Sequence, residues 1–306
     1  METTKQKIQL FLKGMAMGAA DVVPGVSGGT IAFITGIYEE LLASIKSISP
    51  KALLILKEEG IKATWQHING TFLAILFLGV GTSIFSLAKI ISHLLETYPI
   101  LLWSFFFGLI IASVLFIGRQ IKKWNPPAII ALLIGTVVAY YITIAAPATA
   151  PESLWFVFLS GCIAICAMIL PGISGSFILL LLGSYAMVLN GVKDLNLPLI
   201  AVFLSGCVVG LLSFSHLLSW TFKYYRNTTL ALLTGFMIGS LNKVWPWKEV
   251  LSYRTNSHGE QEAFLEKSIL PTQYAEIVQQ DPYILAAVVA MIAGFLLVFL
   301  LEKNAN

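Results

Sequence analysis

The stretch AADVVPGVSGGTIAF, residues 19 to 33, sets a carboxylate, a proline and three glycines inside one hydrophobic run. Much of it returns as AMILPGISGSFILL, residues 167 to 180. A broken, small-residue turn that occurs twice is a feature rather than a defect, and the rest of the chain is organised around it.

Sliding the sequence by 147 positions places Gly14, Ala20, Pro24, Gly25, Ser27, Gly28, Ile31, Gly36 and Tyr38 on Gly161, Ala167, Pro171, Gly172, Ser174, Gly175, Ile178, Gly183 and Tyr185. A shift of 127 then places Gly79, Ser86, Tyr98, Gly108 and Ser113 on Gly206, Ser213, Tyr225, Gly235 and Ser240. The chain is an internal duplication whose first half has the longer linker after its motif. Residues 1–150 form the first repeat, with a hairpin over 8–45 and spans near 70–95, 99–118 and 126–146. Residues 151–306 form the second, with a hairpin over 153–190, spans near 198–222, 227–243 and 282–301, and a polar segment at 244–281. Hairpin arms of about 16 residues rise only ~24 Å against a ~30 Å hydrocarbon core, so they are expected to re-enter rather than cross. A hairpin plus three spans is an odd number, which turns the second half over relative to the first. The expected fold is an all-α polytopic membrane protein of two inverted repeats, each a re-entrant helical hairpin followed by three transmembrane helices.

Composition agrees. Of 306 residues, 57% are hydrophobic and 11% charged, and the mean hydropathy is +0.84. Soluble domains carry about 25% charged residues, so an ordinary soluble enzyme is excluded. The net charge of +3 and the absence of Lys/Arg blocks exclude a nucleic-acid partner. With the N-terminus placed inside, thirteen of the 19 Lys and Arg residues fall on the cytoplasmic side, which is the positive-inside bias. Both termini are then cytoplasmic and residues 244–281 lie outside. The basic, apolar N-terminus mimics a signal peptide, but its cleavage region is half of a motif that recurs mid-chain. Cys162, Cys166 and Cys207 sit in apolar runs and read as small buried hydrophobes. No metal site or cofactor is expected.

Within a bilayer an irregular backbone persists only where protein covers it or where it lines a wet cavity. Pro24 and Pro171 end the first arms; Gly25 and Gly172 permit the turn; Ser27 and Ser174 suit the N-caps of the second arms. Each turn thereby presents free N–H groups and the positive end of a half-helix, an arrangement that binds anions and phosphate above all. The candidate binding residues are Ser27, Gly28, Gly29 and Thr30 with Ser174, Gly175 and Ser176. The competing explanation is that small residues simply let helices pack closely.

The repeat also breaks: Asp21 faces Met168, Thr30 faces Phe177 and Glu39 faces Ala186. Carboxylates in a membrane are costly, so Asp21 and Glu39 are candidates for coupling or gating. Asp21 alternatively pairs with Lys13 on the same helix face, and Glu39 alternatively sits solvated beside Glu40. Lys89 and His216 occupy equivalent positions and, with Lys13 and Arg119, are candidate basic residues along a pathway. Snorkelling or packing competes for Lys89 and His216, and an anchoring role for Arg119.

ADVVPGVSGGT followed by GIYEELL, then PGISGSFILLLLGSY and LNKVWPW, together resemble the membrane family known as domain of unknown function 368, associated with polyprenyl-phosphate transport. The resemblance covers essentially the whole chain. It implies a multi-pass protein of the bacterial cytoplasmic membrane that returns undecaprenyl phosphate, the lipid carrier of cell-wall polymers, from the outer to the inner leaflet. Its partners are then that lipid and the surrounding membrane. Asp21 and Glu39 would serve as proton carriers, neutral while substrate is bound, or as partners holding a basic group; protons and sodium are the candidate coupling ions. Two other functions are open. PGVSGGT and PGISGSF also look like the PG-x-SRS motif of integral undecaprenyl-pyrophosphate phosphatases, but Gly28 and Gly175 stand where that motif has its Arg, so hydrolysis lacks its guanidinium. The other is transport of a different anionic substrate.

The inside–outside assignment is testable by cysteine labelling. A cysteine at Ser257 should react with a membrane-impermeant reagent from the outside, and labelling from the cytoplasmic side alone would reverse the topology.

Overall fold

The computed structural model describes residues 4–22, 26–145, 150–151, 153–255 and 261–303. Three helices open the chain, α1 (Thr4–Asp21), α2 (Gly28–Ile34) and α3 (Tyr38–Ser47), followed by a linker of two short helices, α4 (Pro50–Glu58) and α5 (Gly60–His67). Three long helices come next: α6 (Gly70–Thr97), α7 (Pro99–Gln120) and α8 (Pro126–Ile144). The second half repeats the order with α9 (Leu154–Ile169), α10 (Gly175–Leu181), α11 (Tyr185–Lys193), α12 (Leu197–Tyr224) and α13 (Arg226–Ser240). Strands β1 (Lys248–Thr255) and β2 (Gln261–Ser268), helix α14 (Pro271–Ile277) and helix α15 (Ile284–Lys303) complete it. Local signals explain many starts. Proline occupies the first turn of α7, α8 and α12, and Asn125, Ser153 and Asn196 cap α8, α9 and α12 through their side chains.

Among the described residues four segments, Gly70–Leu87, α7, α8 and α12, are long and apolar enough to cross a membrane, or five if the bent pair α10–α11 counts as one. The protein is a multi-pass membrane protein. The expected span at 227–243 is shorter than anticipated: α13 has 15 residues, a rise of ~22 Å against a ~30 Å core.

Two further expectations need correction. The second arm of each hairpin, residues 30–45 and 174–190, is not one of the continuous ~16-residue arms expected but is broken again. Gly36 (φ +74) and Gly183 (φ +73) adopt left-handed backbone, and α10 and α11 diverge by 110°. The chain is also not all-α, since β1 and β2 pair antiparallel within 244–281. The segment packs on α7 and α15 through Ile100, Trp247, Ile269, Tyr274 and Ala287, and its strand edges require that water reach their N–H and C=O groups.

Packing follows the repeat. α1 lies along α6 and α9 along α12, while α7 pairs with α15 and α13 with α8. The last long helix of each half therefore lies against the middle one of the other half. Glycines make the crossings close. A Cβ at Gly14 would meet the carbonyl oxygen of Leu76, and one at Gly79 that of Phe11; at the equivalent Gly161 and Gly206 it would meet those of Phe203 and Phe158. Gly108 faces the Met291 carbonyl and its counterpart Gly235 that of Leu132. Without a hydrophobic drive between helices in lipid, such backbone approach is a main source of association.

Gly108→Ala should destabilise the purified protein by about 2 kcal/mol or more, because the new methyl meets backbone that cannot rotate away. Gly118→Ala, on the same helix with nothing within 4 Å of its Cβ position, serves as the control. Thermal unfolding in detergent should show a lowered midpoint for the first variant only.

Candidate functional site

The two broken turns come together in the interior. Ser27 sits at the N-cap of α2, where its Oγ accepts from Gly29 N at 3.1 Å and donates to the Met168 carbonyl at 3.0 Å. Thr30 Oγ1 accepts from Gly172 N at 3.0 Å, and the Tyr38 hydroxyl donates to the Ile169 carbonyl at 3.1 Å. Ser27, Thr30 and Tyr38 are all buried. A Cβ on Gly29 would lie 2.5 Å from the Ile169 oxygen, so only glycine lets α2 approach the end of α9. Pro24 and Gly25 lie outside the described residues.

Helix α2 is buried along its whole length, and α1 supplies a charge for each of its ends. Asp21 Oδ1 accepts from Gly28 N at 2.7 Å, at the positive end of the helix dipole. Lys13 Nζ donates to the Thr35 carbonyl at 2.7 Å, at the negative end. The pairing of Lys13 with Asp21 considered from the sequence is thus replaced by a shared role. Eight residues of α1 rise ~12 Å, close to the length of a seven-residue helix, so the spacing matches the two ends of α2. The first turn's N–H groups of Gly28 and Gly29 are accordingly satisfied by Asp21 and Ser27.

The second turn is built differently. Gly172 adopts φ +86 and Ser174 occupies the N-cap of α10 without a side-chain capping bond. Its Oγ lies 2.9 Å from Ser176 Oγ instead. Met168 and Ser160 stand where the first half has Asp21 and Lys13, so α10 has no charged group at either end from α9. Gly175 is buried, whereas Ser176 is exposed.

Other candidates lie elsewhere. Glu39 pairs with Arg226 at 2.8 Å, tying α3 to the start of α13; both side chains are half exposed, and such pairs contribute about 1 kcal/mol or less. Lys89 on α6 is exposed, and exposed His216 on α12 places Nδ1 2.8 Å from the Leu212 carbonyl of its own helix. Arg119 ends α7 and, with Phe116, Phe295 and Val298, lines a cleft between α7 and α15. The three cysteines are half-buried rather than buried; Cys162 Sγ donates to the Gly206 carbonyl at 3.0 Å across α9 and α12. Among the described residues no group of three or more His, Cys, Asp or Glu is placed to hold a metal ion. Tyr38 and Arg226 were not singled out by motif reading, although Tyr38 recurs in the duplication as Tyr185.

Comparison with known proteins gives a consistent picture. Residues 17–262 match the model of a family described as VCA0040-like, undecaprenyl phosphate translocase-like. A polyprenyl-phosphate transporter of Vibrio cholerae serotype O1 is 53% identical over 99% of this chain and 98% of its own length. A polyprenyl-phosphate transporter of Staphylococcus aureus is 32% identical over 77% of this chain and 85% of its own. No solved structure matches.

The cross-bond between the turns gives a direct test. Thr30→Val removes the acceptor for Gly172 N–H and leaves a buried donor unpaired, which costs about 1–3 kcal/mol. Thr30→Ser keeps the oxygen. Thermal unfolding should separate the two, with the valine variant melting clearly lower and the serine variant close to the parent.

Proposed function

Since the chain belongs to the VCA0040-like, undecaprenyl phosphate translocase-like family, we propose that it moves a polyprenyl phosphate across a bacterial cytoplasmic membrane. The substrate in this reading is undecaprenyl phosphate, returned from the outer to the inner leaflet for renewed use in cell-wall polymer synthesis. The observation that carries the reading is the pair of broken turns bonded to each other in the interior, one self-satisfied and the other not.

A lipid phosphate that changes leaflet must take its anionic head through a medium where an unpaired charge costs many kcal/mol, while its tail stays in lipid. Backbone N–H groups and hydroxyls lower that barrier without burying a bare lysine. The second turn supplies them: Ser174, Gly175 and Ser176 receive the head group, with Pro171 and Gly172 shaping the turn. In the first turn Asp21 already holds the position an anion would take, so Ser27, Gly28, Gly29 and Thr30 engage phosphate only when the carboxylate withdraws. Protonation of Asp21 weakens its hold on Gly28 N–H and removes its repulsion of phosphate. Binding a proton and binding substrate thereby favour one another, which is the linkage a proton-coupled carrier requires. Glu39, paired with Arg226, closes the first hairpin onto the second half.

The exchanged pairing of α7 with α15 and of α13 with α8 supports two repeats in opposite orientation about an axis in the membrane plane. Such halves trade roles when access switches from one face to the other. Hydrolysis is disfavoured, because Gly28 and Gly175 put no guanidinium beside the turns.

The test is a leaflet-resolved assay of undecaprenyl phosphate in liposomes holding the purified protein, with and without proton and sodium gradients. Exchange should require the protein. Asp21→Asn keeps an acceptor for Gly28 N–H but carries no charge; it should still bind lipid phosphate and lose the parent's pH dependence of transport. An unchanged pH profile removes the coupling role, and absence of exchange by the parent protein removes the function.

A further inference from the structure

Lys243, Lys248 and Glu266, none of them part of either turn, form a compact charged cluster where segment 244–281 meets the long helices. Glu266 Oε2 accepts from Lys243 Nζ at 3.1 Å and from Lys248 Nζ at 3.2 Å. Lys248 Nζ also donates to the Lys243 carbonyl at 2.8 Å and lies 4.5 Å from the centre of the Trp103 ring on α7. Lys243 Nζ lies 4.8 Å from the centre of the Phe177 ring on α10. The side chains are 9% exposed for Lys248 and 18% for Lys243.

Two ammonium groups share one carboxylate, so the cluster carries an excess positive charge. Burial pushes Lys248 down to about 8 against the pull of Glu266, while the two lysines and their hydrogen bonds hold Glu266 below the usual carboxylate range despite its burial. An ammonium has three donors. Lys248 spends its own on two oxygens and rests against an indole face. Lys243 gives one to Glu266 and otherwise faces a phenyl ring, leaving donors for a further acceptor. A half-buried cation in excess of its counter-charge is costly unless an anion completes it.

Position identifies the anion. Phe177 follows Ser176, the exposed hydroxyl of the second turn, and a Cβ on Gly172 would lie 2.7 Å from Ser240 Oγ, three residues before Lys243. The cluster and the second turn are therefore neighbours through both α10 and α13. We propose that Lys243, backed by Lys248 and Glu266, is a phosphate seat at the mouth of the second turn, where the phosphate monoester head group of a lipid docks beside Ser176. The proposal rests on the transport reading and adds a staging site to it. Lys243 supplies the charge, Phe177 shields its other side from water, and Glu266 sets the seat to a single excess charge, enough to attract a phosphate without trapping it.

A fastening role for the cluster makes the opposite forecast for one variant. Full-length protein in detergent would be titrated with farnesyl phosphate, with farnesol and inorganic phosphate as separate arms, and melting followed in parallel. Lys243→Met should weaken farnesyl phosphate binding roughly tenfold or more, as loss of a charge-assisted hydrogen bond does. Glu266→Gln raises the excess charge and should retain or tighten binding even where it lowers the melting point. Farnesol should bind far more weakly than farnesyl phosphate. Equal binding by Lys243→Met, or weakening by Glu266→Gln to match it, overturns the seat and leaves a structural clamp. Inorganic phosphate binding as tightly as farnesyl phosphate overturns the assignment to a lipid. Should Lys243→Met fail to fold, the Glu266→Gln titration decides alone. Leaflet exchange by the parent protein separates failure of the seat from failure of the transport reading.

Discussion

A helix interrupted inside a membrane frees N–H and C=O groups that hydrocarbon cannot satisfy, and this fold meets that constraint by making each half complete the other. The end of α9 offers the carbonyls of Met168 and Ile169, and the first hairpin answers with Ser27 and Tyr38. The second turn offers Gly172 N–H, and Thr30 answers it. Every one of these bonds crosses the boundary between the repeats. The first turn answers its Gly28 and Gly29 N–H groups within its own repeat, yet both turns carry bonds to the other half, so the centre of the molecule is the place where the two halves are interdependent. A ligand that competes for any of these groups acts on the relation between the halves.

The duplication supplied two similar turns, and charge then made them different. Asp21 and Lys13 bracket α2 from α1, fixing the short helix at both ends of its dipole and burying it throughout. Met168 and Ser160 give α10 no such brackets, and its turn keeps an exposed hydroxyl at Ser176. One turn is thus a finished internal structure and the other an open one. The same asymmetry continues in the packing, where α3 reaches across to α12 of the opposite half while α11 lies along α12 of its own.

Much of this was legible in the sequence, and the limits have physical causes. The broken turns were visible because proline and glycine interrupt an apolar run twice, and Gly14, Gly79, Gly108 and their counterparts appeared as identities before they could be recognised as crossing points. Gly36 and Gly183 were also identities, yet the second break was missed: an isolated glycine is compatible with a continuing helix until its φ is known. The partner of Lys13 was hidden because it is a backbone carbonyl, which no side-chain pattern encodes. The β-hairpin was obscured by a segment read only for its polarity, although charged and apolar residues mix along both strands. Lys243, Lys248 and Glu266 are separated in sequence and gather only when the strands pair. Assignment of the substrate came from the family motifs, since the chemistry of small-residue turns names no particular ligand.

The exchange of helices between halves has a consequence for biosynthesis. Gly108 on α7 is shaped for the backbone of α15, and Gly135 on α8 for that of α13, yet these partners are translated much later. At about 5–20 residues per second the delay amounts to roughly ten to forty seconds for α7. A soluble protein holding an unpaired apolar face for that long would risk aggregation. In lipid the waiting face is already surrounded by hydrocarbon, which is as apolar as the partner helix. What is postponed is close packing rather than shelter from water, so the bilayer itself keeps the first half competent until the last helix arrives.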